Sequence, residues 1–428
     1  MKVQRVLGIV LMVQLLASVV LVFLMAARSP IDAHPDEMLH LLAGRYFQTH
    51  WLPPPVGAPE TAASYSRWGF SYLDMGDVVY CLLGKAAAAG RLFGATPAVA
   101  MRSFQVFLYV VLVAWCLARA RTFSPALGFL LLTPQLWYVF SYINGDALPF
   151  LLLTGLIFEL GWPESGIRVF WRSREAGPTA GVFAVGALLG LLLTSKLNYL
   201  VGVVFLGGIL GWLRGEIAHW KRLTLPLAVA AAIAVPWSCY HAWVNDFQTS
   251  AKVAAYADQV AEPELKPSAF ASPQSFAFIM LRAKGVPLSA LIMSMDWPGL
   301  SFRSFSGLYG WMSIVAVPWV YYVFGALDAA LLAILVLPVA LRGGPSARLL
   351  FLGVLVCAAL VVAQSLYRSW TVNFQGQGRY LFPILPMLFF YWRQCEERAL
   401  RTPALLVTAL LGTFSLLSFA LIGLAHLA

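Results

Sequence analysis

The chain has 428 residues, 60% of them hydrophobic and only 11% charged, with a mean hydropathy of +0.78. That composition excludes a soluble globular domain and implies a polytopic membrane protein, read here as a single membrane domain over 1–428. The formal net charge of +10 does not require nucleic acid, because no Lys/Arg-rich run is present and basic cytoplasmic loops give the same excess.

The first element is an apolar run at 6–27 behind Lys2 and Arg5. A secretory h-region is about 7–15 residues, whereas about 20 cross a bilayer. The run is therefore a retained first helix with a cytoplasmic N-terminus. A long outer segment, 28–100, follows. Its apolar stretch at 77–94 carries Lys85 and Arg91 and is read as an interfacial helix. Later spans are expected near 101–118, 124–142, 146–162, 180–195, 197–213, 224–242, 314–340, 348–367, 380–392 and 404–426, giving about eleven membrane helices. A second long outer segment covers 243–313. With these assignments Arg119 and Arg121, then Arg168, Arg172 and Arg174, then Arg214, Lys221 and Arg222, then Arg342 and Arg348, then Arg393, Arg398 and Arg401 all fall on the cytoplasmic side. Counting 77–94 as a span would put them outside. Trp137 and Trp392 are among the residues expected at the two interfaces. The five cysteines show neither metal-ligand spacing nor a disulfide framework.

The unusual polar residues gather on the outer side. Ile31–His40 packs three acids and two histidines into ten residues. Pro35 suits the first position of a short helix, in which Asp36 and His40 share a face away from lipid. Acids in a first turn are also favoured by the helix dipole alone. Asn144 and Asp146 lie at an outer helix junction, where Asp146 could simply be an N-cap. Lys196 sits between two apolar runs, either as a snorkelling anchor or as a point charge for a lipid phosphate. Gln377, Arg379 and Tyr380 begin another helix, beside Gly376 and Gly378, which let the backbone come close to a ligand. An Arg there suits an anion, or an interfacial anchor. Arg303 lies in an aromatic, Ser-rich segment before an outer helix start. Asp328 is the one clear mid-span acid, with no partner assigned.

His34-Pro35-Asp36-Glu37 with His40 resembles the Pro-Asp-Glu-x-x-His motif of GT-C superfamily membrane glycosyltransferases, and of a bacterial family of GT-C-like membrane proteins in particular. Asn144-Gly145-Asp146-Ala147-Leu148 resembles that family's Asn-Pro-Asp-Ala-Leu, with Gly145 in place of proline. Gln377-Gly378-Arg379-Tyr380-Leu381 and the 307–311 segment resemble its later motifs. The resemblance implies a GT-C-like helical bundle with interfacial helices in the first periplasmic loop. It implies a polyprenyl-phosphate sugar donor, a glycan or lipid acceptor, and a site facing the periplasm in a bacterial inner membrane. By motif position Asp36 is the general base and Glu37 assists it. His34, His40, Asn144, Asp146, Arg303, Gln377 and Tyr380 are candidate substrate contacts, and Lys196 and Arg379 neutralise the lipid phosphate. The resemblance fixes no cofactor. A divalent metal, Mg or Mn, on the hard oxygens of Asp36, Glu37 and Asp146 remains open. The alternatives are a transporter or flippase of lipid-linked saccharides, and a non-catalytic membrane subunit.

Overall fold

A computed structural model describes residues 2–119, 125–173, 175–270, 278–395 and 401–427. Arg121, Arg174 and Arg398, used above in the charge pattern, lie outside the described residues. Among the described residues the fold is all-α, apart from one hairpin of two-residue strands.

Helix α1 (Lys2–Arg28) is apolar on every side, as a lipid-contacting helix must be. It buries Leu11, Leu15 and Val22 and leaves Val13, Leu16 and Phe23 exposed. Its mid-helix Gln14 donates from Nε2 to Ala409 O at 2.8 Å and to Thr413 Oγ1 at 2.9 Å. Such bonds tie helices together where lipid offers no alternative partner.

The segment expected on the outer side, 28–100, holds α2 (Glu37–Tyr46) and α3 (Val78–Arg91). Both are short and amphipathic, and they pack on each other at Gly84. A Cβ on Gly84 would stand 2.6 Å from Gly44 O, so the crossing requires glycine. Helix α2 starts later than expected. Asp36, not Pro35, flanks it, in a left-handed conformation (φ 58°) that short polar side chains tolerate. This turn swings the Glu37 side chain inward.

Helix α4 (Pro97–Arg119) carries the chain across. The expected span at 124–142 is not one continuous helix. Pro125 and Pro134 lack the N–H that a helix interior needs. The segment is instead a 3-10 turn at Pro125–Leu131, then α5 (Pro134–Val139), begun by the Thr133 hydroxyl accepting from Gln135 N at 3.0 Å. All of α5 is buried. Trp137 lies in this core with its Nε1–H on Leu130 O, and Trp392 is buried too, so neither marks an interface.

Helix α6 (Ala147–Gly161) bends by 42° into α7 (Gly166–Arg172). Helices α8 (Ala180–Leu193) and α9 (Leu200–Trp212) are joined by a tight loop through Lys196. On α8, Gly186 and Gly190 let α10 (Thr224–Val244) come close: a Cβ at either would stand under 3 Å from Pro226 O or Ala230 O. The second outer segment contains α11 (Thr249–Val260), α12 (Leu288–Met293), α13 (Trp297–Gly307) and the hairpin β1 (Leu308–Tyr309) with β2 (Ile314–Val315), paired Leu308 to Val315. Then come α14 (Pro318–Arg342), α15 (Pro345–Thr371), α16 (Ile384–Cys395) and α17 (Arg401–Ser418), the last continuing as a π turn over Phe419–Leu424.

Among the described residues six helices, α1, α4, α10, α14, α15 and α17 with their extensions, are long and apolar enough to cross a membrane. The bent α6–α7 pair would be a seventh, and α8 and α9 are shorter apolar helices. The chain is thus a multi-pass membrane protein. Several of the described connections gather at two ends. One end collects the first outer segment, the 141–146 turn, the 194–199 loop and the start of α16; the other collects α7 and the loops at 214–223.

Candidate functional site

Two acids begin α2, and they are used differently. Glu37 is fully buried. It receives Arg102 Nε on Oε1 and Arg102 Nη2 on Oε2, both at 2.7 Å, plus the backbone N–H groups of Asp32 and Ile143. Arg102, at the start of α4, also donates to the carbonyls of Ala26, Ser29 and Pro30. This bidentate pair pins the end of α1, the 31–37 loop and the 141–145 turn to one another. Asp36 is half-buried and accepts a hydrogen bond from Tyr72 Oη at 3.0 Å. The helix-dipole explanation fits neither acid fully, since both carboxylates reach outside their own helix.

The histidines are aromatic-packed and neutral. His34 Nε2 meets Ser29 Oγ and its Nδ1 meets Tyr138 Oη, each at 2.7 Å. Burial, with Arg102 adding to it, lowers its pKa to about 3. His40 Nδ1 lies 2.8 Å from Tyr80 Oη, and its ring stacks on Tyr72 at 3.9 Å. Burial holds it well below the ordinary value, and Lys196 and Arg379 push it the same way. Asp36 and His40 do share a face, and Tyr72 is what they share.

Asp146 occupies the N-cap position of α6, but its side chain makes no cap hydrogen bond. Asn144 takes that task, its Oδ1 accepting from Asp146 N at 2.8 Å and Ala147 N at 3.2 Å. The freed carboxylate is fully buried and receives Lys196 Nζ on both oxygens at 2.9 Å. Arg379 Nη1 lies 3.8 Å from Oδ2 and 3.3 Å from Tyr142 Oη. Gln377 Oε1 accepts from Arg379 Nε at 2.7 Å and so orients it. The Tyr380 ring stands 5.6 Å from both cations. Lys196 and Arg379 are therefore ion-paired groups, not free interfacial anchors. The ammonium of Lys196, still partly exposed, keeps donor capacity beyond Asp146. Gly145, where the resembled motif has proline, faces Tyr80 Oη 3.1 Å from its would-be Cβ.

A cavity of about 510 Å³ adjoins this cluster. Tyr72, Asp77, Lys196 and Tyr380 line it, together with Trp237 and His241 of α10 and Val361 and Arg368 of α15. Asn198, His241 and Ser365 on its wall each hold a buried polar atom with no protein partner. Such atoms cost free energy unless a ligand or water satisfies them. Sequence reasoning missed Tyr72 and Asp77, which line the cavity, and Arg102, Tyr80 and Tyr142, which contact Glu37, His40 and Arg379 outside its lining. Burial raises the pKa of Asp77 to about 7, Lys196 opposing and Asp146 reinforcing.

Two candidates stand elsewhere. Arg303 pairs with Asp296 at 2.8 Å on an exposed face, apart from the Asp146 cluster. Asp328 is half-buried in α14 and forms no ion pair among the described residues. Gly376 and Gly378 serve close packing: a Cβ on either would run into Leu300 or Phe305 of α13. Among the described residues no three His, Cys, Asp or Glu side chains are grouped to hold a metal ion. Asp36, Glu37 and Asp146 are each directed to a different partner, Tyr72, Arg102 and Lys196, and do not form a common ligand set.

No curated protein and no solved structure matches the chain. A family model described as "Predicted membrane protein (DUF2142)" matches residues 53–388, a span that includes Asp146, Lys196 and Arg379 and begins after the His34–His40 motif. The chain belongs to the DUF2142 family of predicted membrane proteins.

Proposed function

We propose that the chain is a GT-C-type membrane glycosyltransferase. It moves a sugar from a polyprenyl-phosphate donor to a hydroxyl of a cell-envelope glycan or lipid at the outer face of a bacterial inner membrane. The observation that carries this reading is the cavity that joins Lys196 and Tyr380 to the walls of α10 and α15. Both helices are long and apolar enough to cross the membrane. A lipid phosphate needs this combination, a cationic end for the headgroup and membrane helices for the chain.

The chemistry is an inverting displacement. The acceptor oxygen bonds to the anomeric carbon, the bond from that carbon to the phosphate oxygen breaks, and the phosphate leaves with the electron pair. Lys196 and Arg379, already fixed by Asp146 and Gln377, stabilise the charge on the leaving phosphate. Preorganised charge of this kind is often the largest catalytic contribution. The acceptor proton goes to a carboxylate of the first outer segment, a role the motif gives to Asp36. Glu37, saturated by Arg102 and two backbone N–H groups, is a positioning residue.

The test is transfer of labelled sugar by the purified chain in nanodiscs, with polyprenyl-phosphate sugars as donors and an envelope extract as acceptor. We expect transfer that drops sharply in Lys196→Met and Arg379→Gln. Translocation of the donor without transfer would establish a flippase instead. Neither transfer nor donor binding would leave only a structural subunit.

A further inference from the structure

Resting on the transferase reading, the geometry points to Asp77, at the start of α3, as the carboxylate that takes the acceptor's proton. Asp77 occupies the N-cap of α3, where an Asp ordinarily accepts from the helix N–H groups. Here its side chain makes no cap bond, and among the described residues its carboxylate accepts no hydrogen bond and joins no ion pair. Asp77 is one of the residues that line the cavity. The backbone places it there: Val78 N donates to Thr194 O at 2.9 Å, which locks the start of α3 against the loop that carries Lys196. Asp36, by contrast, is not part of that wall. Its carboxylate reaches the wall only through the Tyr72 hydroxyl, which is hydrogen-bonded to it.

The two acids thus divide the work. Asp36 fixes Tyr72, and Tyr72 with Lys196 and Tyr380 bounds the space where the substrate lies. Asp77 is the acid on the wall of that space whose side chain has no partner among the described residues. As the acceptor oxygen bonds to the anomeric carbon, its proton passes to an Asp77 oxygen and the phosphate departs toward Lys196 and Arg379. A base is most effective when its proton affinity lies near the working pH, and burial has moved Asp77 in that direction.

The test compares Asp77→Asn with Asp36→Asn in the full chain in nanodiscs. The Asp77 side chain makes no cap bond and Asn suits an N-cap equally, so α3 keeps its start. Two readouts are taken: binding of polyprenyl phosphate, and transfer of labelled sugar. Asp77→Asn should bind polyprenyl phosphate within a few-fold of the wild type yet transfer about 10²–10⁴-fold more slowly. Asp77→Glu should recover part of the rate, and Asp36→Asn should lose less than Asp77→Asn. Transfer by Asp77→Asn near the wild-type rate, with Asp36→Asn inactive, would overturn the assignment and leave the transferase reading standing. A wild-type chain that transfers no sugar would overturn both.

Discussion

Each end of the bundle holds an acid between two cations, joined by α6. At one end Asp146 lies between Lys196 and Arg379. At the other, Glu216 lies between Arg168 and Arg172, while Arg222 closes on the carbonyls of Phe170 and Ala176. The pairings are alike and the surroundings are not. Glu216 is 37% exposed and none of its group borders the 510 Å³ cavity; Asp146 is fully buried and its lysine does border it. The Glu216 group fastens loops. The Asp146 group stands beside an unpaired carboxylate and buried polar atoms without partners. An ion pair alone therefore says little about function; the space and the unsatisfied groups beside it distinguish the two ends.

The largest contrast is in stability. Glu37→Ala leaves the Arg102 guanidinium buried and unpaired, which costs about 3–5 kcal/mol. Thermal unfolding in detergent should show it, and a loss below about 1 kcal/mol would mean that Glu37 does not pin the outer loops. Asp146→Asn removes one charge but keeps the shape. With Lys196 partly exposed, the expected cost is about 1–3 kcal/mol. The double variant Asp146→Asn/Lys196→Met should be more stable than the single one, because the stranded charge is gone.

A pH-dependent effect follows from His34, whose pKa is lowered to about 3 in the fold. Between that value and the unfolded one, about 6.5, the unfolded chain binds the extra proton. Stability should therefore fall as pH drops through this window, by up to about 1.4 kcal/mol per pH unit from this residue. His34→Gln should flatten the slope, and an unchanged slope would show that His34 is not buried neutral.

The smallest effect is at the other end. Burial raises the pKa of Glu216, but hydrogen bonds from Arg168 and Arg172 outweigh it and hold the carboxyl below its ordinary value. Its contribution is present above the unfolded pKa and is lost as pH falls through the folded one. For a pair this exposed, Arg172→Ala should cost only about 0.2–1 kcal/mol. A loss as large as that of Glu37→Ala would erase the distinction between the two ends.

What the sequence made legible follows from range. Apolar runs long enough to cross a bilayer announced α1, α4, α10, α14, α15 and α17, because lipid imposes that length directly. Asp146, Lys196 and Arg379 stood out as rare ionisable groups at helix ends, and they do meet. Their partnership was not readable, since 50 residues separate Asp146 from Lys196 and Arg379 lies farther still. The same distance hid Arg102, which reads as an ordinary helix-start arginine until Glu37 is placed against it, 65 residues away in sequence. Asp77 was hidden for a local reason: an acid before an apolar helix reads as a cap, and only the structure shows its carboxylate unused. The break at 124–142 was available in Pro125, Thr133 and Pro134, but hydropathy alone ran over it.

The central claim is that the first outer segment and distant helices share one ligand cavity. It is tested most directly by a structure of the chain in nanodiscs containing polyprenyl phosphate. We predict the phosphate within hydrogen-bond reach of Lys196, beside Tyr380, with the lipid chain running between α10 and α15. A bound lipid phosphate at any other place, with this cavity empty at saturating lipid, would contradict it.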